Sequence, residues 1–421
     1  MTYAPTYAIE PLGGETAGRI AAGLAARRLA FAGEAVATAL RDGSQSDAAL
    51  HAWAAGVARL LREDPARGRA ILEHWSNEFL LSRSRAASGG TRRLTGDLAC
   101  NLLGTALRGG TPALQGTFEV SIDRDGAVPS YRAEARIAVA PESRAAAVSI
   151  DVDAAHGKRL PFARALPWDL PIVPDDPAAS LVPEALGSFV PAGRSGPSLA
   201  EELDAAGAIL AALWPEANAW IALLCPAFID LGAASRAETL SGSFGPGLPV
   251  YLSAAHDPFL LAENVVHELQ HLRLGLSPMQ EYATRWFDAD ARFVSPYRPD
   301  PRPLRGIHLG LHAFLAVNEL RLRAAERGMG TNGSLRDAAR AHRMNVFAYR
   351  TLSQYENFTP QGERYWDEIG ATVAAQERAL DRLSDRVAVR AADTWLERHL
   401  AIVRAAAPHL PNDDFALARL S

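Results

Sequence analysis

Two histidines four residues apart flank a glutamate in the run ENVVHELQHLRLG, Glu263 to Gly275. On a helix, His267 and His271 lie about 40° apart on one face, so both imidazoles can reach one ion. Leu260, Leu261, Val265, Val266, Leu269, Leu272 and Leu274 surround them, the pattern of a helix buried on nearly all sides. Such a helix must find partners for two imidazoles and the Glu268 carboxylate, because an unsatisfied buried polar group costs roughly 2–7 kcal/mol. A bound metal ion would satisfy all three. The ordinary alternative is an amphipathic helix with a polar stripe.

A third ligand has to come from elsewhere, and RGIHLGLHAFLAVNELRLR, Arg305 to Arg323, is the best source. His308, His312 and Glu319 project from one helical face there, within about 40°. With Glu319 the site is two imidazoles and a carboxylate, which suits zinc activating water with Glu268 as general base. With His312 it is three neutral imidazoles, which suits zinc but also ferrous iron with positions open for a chelating cosubstrate and dioxygen. Any one of these histidines, His308 above all, is equally readable as a hydrogen-bonded core residue.

Immediately before this helix lies SPYRPDPRPLRG, Ser295 to Gly306. Its four prolines hold the backbone extended and aim the neighbouring side chains at low entropic cost. Arg298 and Arg302 on this segment are candidates for a two-point grip on a carboxylate. On composition alone a surface turn is the plainer reading.

The chain that must position these groups has 421 residues, 48% hydrophobic and 22% charged, as in ordinary globular proteins. Net charge is −5, too mild to suggest nucleic acid or an anionic membrane as partner. Lys158 is the only lysine, so the basic residues are otherwise arginine and a single arginine is weak evidence of function. Cys100 and Cys225 define no disulfide framework, zinc ribbon or cluster, which fits a reducing cytoplasm. No signal peptide is expected at the N-terminus. AILAALWPEANAWIALLCPAF, Ala208 to Phe228, is broken by Pro215, Glu216 and Asn218 and reads as core helices.

Three regions are expected. Residues 1–115 are helical, with apolar positions three and four apart in AGRIAAGLAARRLAFAGEAVATAL and DAALHAWAAGVARLL. Residues 116–185 hold a small β cluster, GTFEVSID with ARIAVA and AAVSIDVD, and then a proline-rich linker or strap over Leu160–Ala179. Residues 186–421 form the metal-binding catalytic region. There GPGLPVYLSA reads as one buried strand, Asp257 and Pro258 open the metal helix, and Gly275 and Pro278 mark its end. The expected fold is mainly α with a small β component (α+β), a zincin-like metal helix packing on the buried strand and on the second histidine helix.

VVHELQHLRLG followed by SPYRPDPRPLRGIHLGLHAFLAVNEL resembles the HEXXH-motif proteins associated with ribosomally made peptide natural products. Those are iron- and 2-oxoglutarate-dependent peptide β-hydroxylases. Their pattern joins the zincin-like motif to P-W-R-x-D-P-R-P and G-x-x-x-G-x-H-A-F, and Tyr297 stands here where the pattern has tryptophan. The likeness spans about residues 245 to 325, with a weaker echo at FTPQGERYWDEI, Phe358 to Ile369. It implies His267, His271 and His312 as ligands of Fe(II), and Arg298 and Arg302 as holders of the distal carboxylate of 2-oxoglutarate. Glu268 would orient a ligand or a water. The implied activity is a dioxygenase hydroxylating a side-chain β-carbon of a precursor peptide, with the strand LPVYLS a candidate edge for pairing with that peptide and the helical first half for leader recognition. A zinc peptidase using Glu268 and Glu319, and a non-catalytic metal-stabilised peptide scaffold, are the competing readings. Oligomeric state is not legible.

Overall fold

The computed structural model describes residues 9, 12–41, 54, 57–58, 61–73, 119–120, 135–136, 163–174, 198–233, 240–243, 245–255, 257–276, 291–329, 334–383, 386–407 and 410–411. The protein is mainly helical with a small β component. Helices α1 (Gly14–Arg41) and α2 (Pro65–Glu73) come first, then a short antiparallel pair, β1 (Glu119–Val120) with β2 (Ala135–Arg136). This pair lies in the first two of the three stretches expected to be β. AAVSIDVD and most of DAALHAWAAGVARLL fall outside the described residues.

The proline-rich stretch expected to be a linker or strap is instead part of the central sheet. Strands β3 (Ala163–Ala165) and β4 (Leu170–Pro174) pair antiparallel across a single 3-10 turn, Leu166–Trp168. Asp169 completes the reversal at φ 52°, a conformation that aspartate tolerates better than most residues. Pro171 and Pro174 argue against a strand in sequence, yet the sheet accepts them.

Helices α3 (Leu199–Leu213) and α4 (Pro215–Leu224) follow, and both have local causes. Ser198 and Glu201 form a reciprocal capping box on α3. Pro215 ends α3 and occupies the first position of α4, where its missing N–H costs nothing. Beyond them run β5 (Phe228–Ala233), β6 (Ser241–Ser243) and β7 (Val250–Ala254). The sheet order is β3-β4-β5-β7-β6, with β4, β5 and β7 mutually parallel and the two outer strands antiparallel. Strands from both sides of residue 185 therefore share one sheet. Strand β7 is fully buried, as expected, but it is paired on both sides. It has no open edge for a peptide, contrary to the expectation for LPVYLS; among the described residues the edge beside the HELQH helix is β6.

The HELQH helix, α5 (Pro258–Leu274), begins where the sequence places it. The Asp257 carboxylate accepts the Phe259 N–H at 2.9 Å and Pro258 opens the first turn. It packs on α3, α4, β6 and β7, and along α6 (Leu304–Glu326). Helix α6 is shared by two cores. Its Ala316, Leu320 and Ala324 join α3, α4, β7 and α5, together with Ile20 and Leu24 of α1. Its Ile307, Leu311 and Leu315 join the C-terminal helices α7 (Ser334–Tyr355), α8 (Pro360–Leu383) and α9 (Arg386–Ala406). That double burial is why its apolar residues run nearly all round. No helix among the described residues is long and apolar enough to cross a membrane.

His342 of α7 is buried, and neither ring nitrogen has a hydrogen-bond partner among the described residues. Burial, with the Arg343 charge second, pushes its pKa down to about 4 from 6.5. The unfolded chain thus binds this proton first, so stability is full above pH 6.5 and falls as pH drops toward 4. Between pH 6.5 and 5 the expected loss from this residue is about 2 kcal/mol. Denaturant unfolding at both pH values should show a shallower acid loss for His342→Phe than for the wild type. Equal slopes would rule the effect out.

Candidate metal centre

Helix α5 turns His267 and His271 toward one point: their Nε2 atoms stand 3.0 Å apart and the rings meet edge to face at 84°. Two neutral imidazoles can share a single proton across that gap, or aim both lone pairs at one cation. Burial drives the His267 pKa down to about 4, with the His271 charge adding to it and Glu268 opposing. Burial likewise lowers His271. Both rings are therefore neutral near pH 7, the form in which imidazole ligates a metal. The remaining nitrogen of His271, Nδ1, is buried with no hydrogen-bond partner among the described residues. The ligand atoms of His267, Glu268 and His271 all lie within 4.8 Å of one another, so this donor set fits a metal ion.

Glu268 is held from the sheet. Its two carboxylate oxygens accept the hydroxyls of Ser241 at 2.6 Å and Ser243 at 2.7 Å, alternate residues of β6 that point to one face. Both bonds are short, as charge-assisted ones are. Replacing both serines by alanine leaves this buried carboxylate without those donors and should cost about 2–4 kcal/mol. Denaturant titration reads that loss. A double variant within about 0.5 kcal/mol of the wild type would show that Glu268 is satisfied some other way.

Helix α6 supplies a second buried pair one turn apart, His308 and His312. The His308 Nε2 lies 3.1 Å from the Tyr365 hydroxyl, which makes it a hydrogen-bonded core histidine; burial, then the His271 charge, takes its pKa to about 3. The His312 ring lies 6.0 Å from the Tyr365 ring, tilted by 33°. Its pKa is held well below 6.5 by burial first, then by the charges of His308, Arg273, His271 and His267. It thus sits within electrostatic reach of both α5 rings, but not among the atoms clustered within 4.8 Å. Tyr365 arrives through the FTPQGERYWDEI stretch, where the Thr359 hydroxyl accepts the Gly362 N–H at 3.0 Å and starts α8.

Glu319 lies elsewhere. Its carboxylate is bound by Arg323 at 2.8 Å, one turn along α6, and Arg323 is itself stacked over Trp214. The two arginines of the proline-rich segment face solvent in part, with side-chain exposures of 65% for Arg298 and 37% for Arg302. Arg302 is already paired with a carboxylate, that of Asp300: Nη2 donates to Oδ1 at 3.2 Å and Nε lies 2.7 Å from Oδ2. Arg298 is 3.8 Å from the same group.

The segment reaches the metal helix through an aromatic relay. Phe293 and Arg302 exchange backbone hydrogen bonds, closing the proline-rich stretch into a loop. Tyr297 stacks flat on Phe314 at 5.0 Å, and Phe314 meets His267 edge-on at 5.1 Å. The Tyr297 hydroxyl donates to Asn345 of α7 at 2.9 Å. Gly310 makes room for this ring: a Cβ there would come within 2.5 Å of Tyr297. The G-x-x-x-G-x-H-A-F pattern is thereby explained locally, since a small residue at 310 seats Tyr297 and Phe314 then fixes one side of His267.

Sequence reasoning missed Ser241, Ser243, Tyr365 and Asn345. Only Tyr365 carried a signal, through the FTPQGERYWDEI echo. No family model matches the chain, and no curated protein matches it at a significant level.

Proposed function

We propose that the protein is an Fe(II)- and 2-oxoglutarate-dependent oxygenase that hydroxylates a side-chain β-carbon of a ribosomally made precursor peptide. The observation that carries this reading is the convergence of the His267 and His271 Nε2 atoms beside a third buried, neutral imidazole on the facing helix, His312. The resemblance in the HELQH, SPYRPDPRP and GLHAF segments supplies the reaction class. Weighing against the peptidase alternative, Glu319 is committed to Arg323, and both oxygens of Glu268 are occupied by serine hydroxyls.

In this reading His267, His271 and His312 hold the metal, and burial keeps them unprotonated. Bound iron with its keto-acid cosubstrate supplies the oxidising chemistry. The chain orients and shields. Phe314 and Tyr297 wall one side of His267, and Glu268, tied to β6, fixes the rotation of the helix that bears the ligands. Arg298 and Arg302 take the distal carboxylate of 2-oxoglutarate in place of Asp300. An extended peptide pairs with the outer side of β6, the sheet edge adjoining α5.

The test is metal analysis of protein purified without chelator, together with succinate release from 2-oxoglutarate. Iron content and turnover that survive Glu319→Gln but not His312→Ala are the expected result. The opposite pattern, with peptide cleavage supported by zinc, would assign the site to hydrolysis.

A further inference from the structure

Helices α7 and α9 enclose a second site, a solvent-open groove of about 520 Å³ away from the histidine cluster. Its charged lining is Arg336, Arg340, Arg390 and Arg398, with Asp337 its single carboxylate. The spacing is built for one face: Arg336 and Arg340 are one turn apart on α7, while Arg390 and Arg398 are separated by two intervals of four on α9. An ion pair between the helices, Arg343 to Asp393 at 2.7 Å, fastens the walls. Among the described residues none of the four groove arginines forms an ion pair, although the chain as a whole carries net charge −5.

We propose that this groove binds an acidic, extended segment of the peptide substrate and so anchors it for the metal centre. The ligand chemistry follows from the lining. Arg390 and Arg398 are about 12 Å apart along the helix axis. One phosphate cannot bridge that span, whereas an extended chain covers it with about four residues and presents carboxylates along the way. The indole of Trp395 is engaged by the chain itself, with the Arg340 guanidinium at 3.9 Å and the His399 ring stacked at 5.2 Å, so it is not offered to a nucleobase. Arginine clusters of this kind recognise acidic motifs through two-point bonds to carboxylates.

One wall of the groove is linked by packing to the helix that bears the histidines. His399, stacked on Trp395, donates from Nε2 to the Ser295 carbonyl at 3.0 Å. Ser295 opens the proline-rich loop, whose Tyr297 leans on Phe314 and through it on His267. The Trp395 wall of the groove is thereby linked by packing to the loop that leans toward the metal cluster. This proposal puts an anchoring surface for the substrate on the C-terminal helices.

Naming the occupant as substrate rests on the proposed function; the binding itself does not and is measured without turnover. The probe is a fluorescein-labelled peptide of alternating Glu and Gly, followed by anisotropy with the full-length protein. A Gln-for-Glu peptide, inorganic phosphate and a single-stranded oligonucleotide serve as comparators. Expected is salt-sensitive binding of the Glu peptide only, weakened about tenfold or more by Arg390→Glu/Arg398→Glu and by Arg336→Gln/Arg340→Gln, with helix content unchanged by circular dichroism. Absent binding, equal affinity in both double variants, or displacement by phosphate or oligonucleotide at concentrations no higher than the peptide would overturn the proposal. Retained peptide binding in a protein that never releases succinate would instead refute only the reading of the metal centre.

Discussion

Replacing His271 with leucine is expected to strip the protein of metal while leaving the metal-free fold as stable as before, or more so. The first half follows from chelation: a metal site held by four ligands yields roughly 10–16 kcal/mol, so one ligand is worth about 3 kcal/mol, a loss on the order of a hundredfold in affinity. The second half follows from burial. Without a cation, the wild type holds two neutral imidazoles with Nε2 atoms 3.0 Å apart and a buried Nδ1 without a hydrogen bond among the described residues. Leucine removes the unpaired nitrogen at the cost of the proton shared with His267, and fills similar volume. Metal content after dialysis and melting in the presence of chelator check the two halves separately. A variant that keeps its metal, or one that loses stability as an ordinary core mutant would, returns His271 to the role of a packed core residue.

The largest effect on folding is expected at Arg321→Ala. Arg321 of α6 grips both oxygens of Glu263 on α5, at 2.6 and 2.8 Å, and also donates to the Asp337 carbonyl at 3.1 Å. Side-chain exposure is 17% for the arginine and 8% for the glutamate. Removing the guanidinium strands a buried carboxylate, which costs about 3–5 kcal/mol. The double variant Glu263→Gln/Arg321→Met carries no charge and should recover most of that loss. Denaturant unfolding of the two variants beside the wild type decides it. If the single and double changes cost the same, the stranded charge is not the cause.

Much of helix α5 was readable because its determinants are local. The Asp257 cap, Pro258 in the first turn and the stop at Gly275 each act within a few residues of the helix end they set, and all appear where the sequence puts them. The same holds for the Pro215 break between α3 and α4 and for the buried strand before α5. The misses are non-local. Strand β4 is built from a proline-rich run that no periodicity marks, and it forms because β5 lies beside it. Ser241 and Ser243 reach Glu268 across 27 and 25 residues, and nothing in their own neighbourhood signals a buried acid. Asp300 teaches the reverse lesson. It stands between Arg298 and Arg302 in PYRPDPRP, so a local carboxylate was available to both from the start.

Helix α5 is tied at several heights: Glu263 to α6, Glu268 to β6, and Gln270 to Arg273, whose guanidinium in turn lies over Trp220 of α4. A cylinder pinned on several sides can neither roll nor slide. On the proposed reading its two imidazoles are consequently parked in their ligating pose before any ion arrives, and the disorder lost in arranging them was surrendered when the chain folded, not at capture. Uptake of the ion should then proceed with almost no change in helix content or in backbone amide protection.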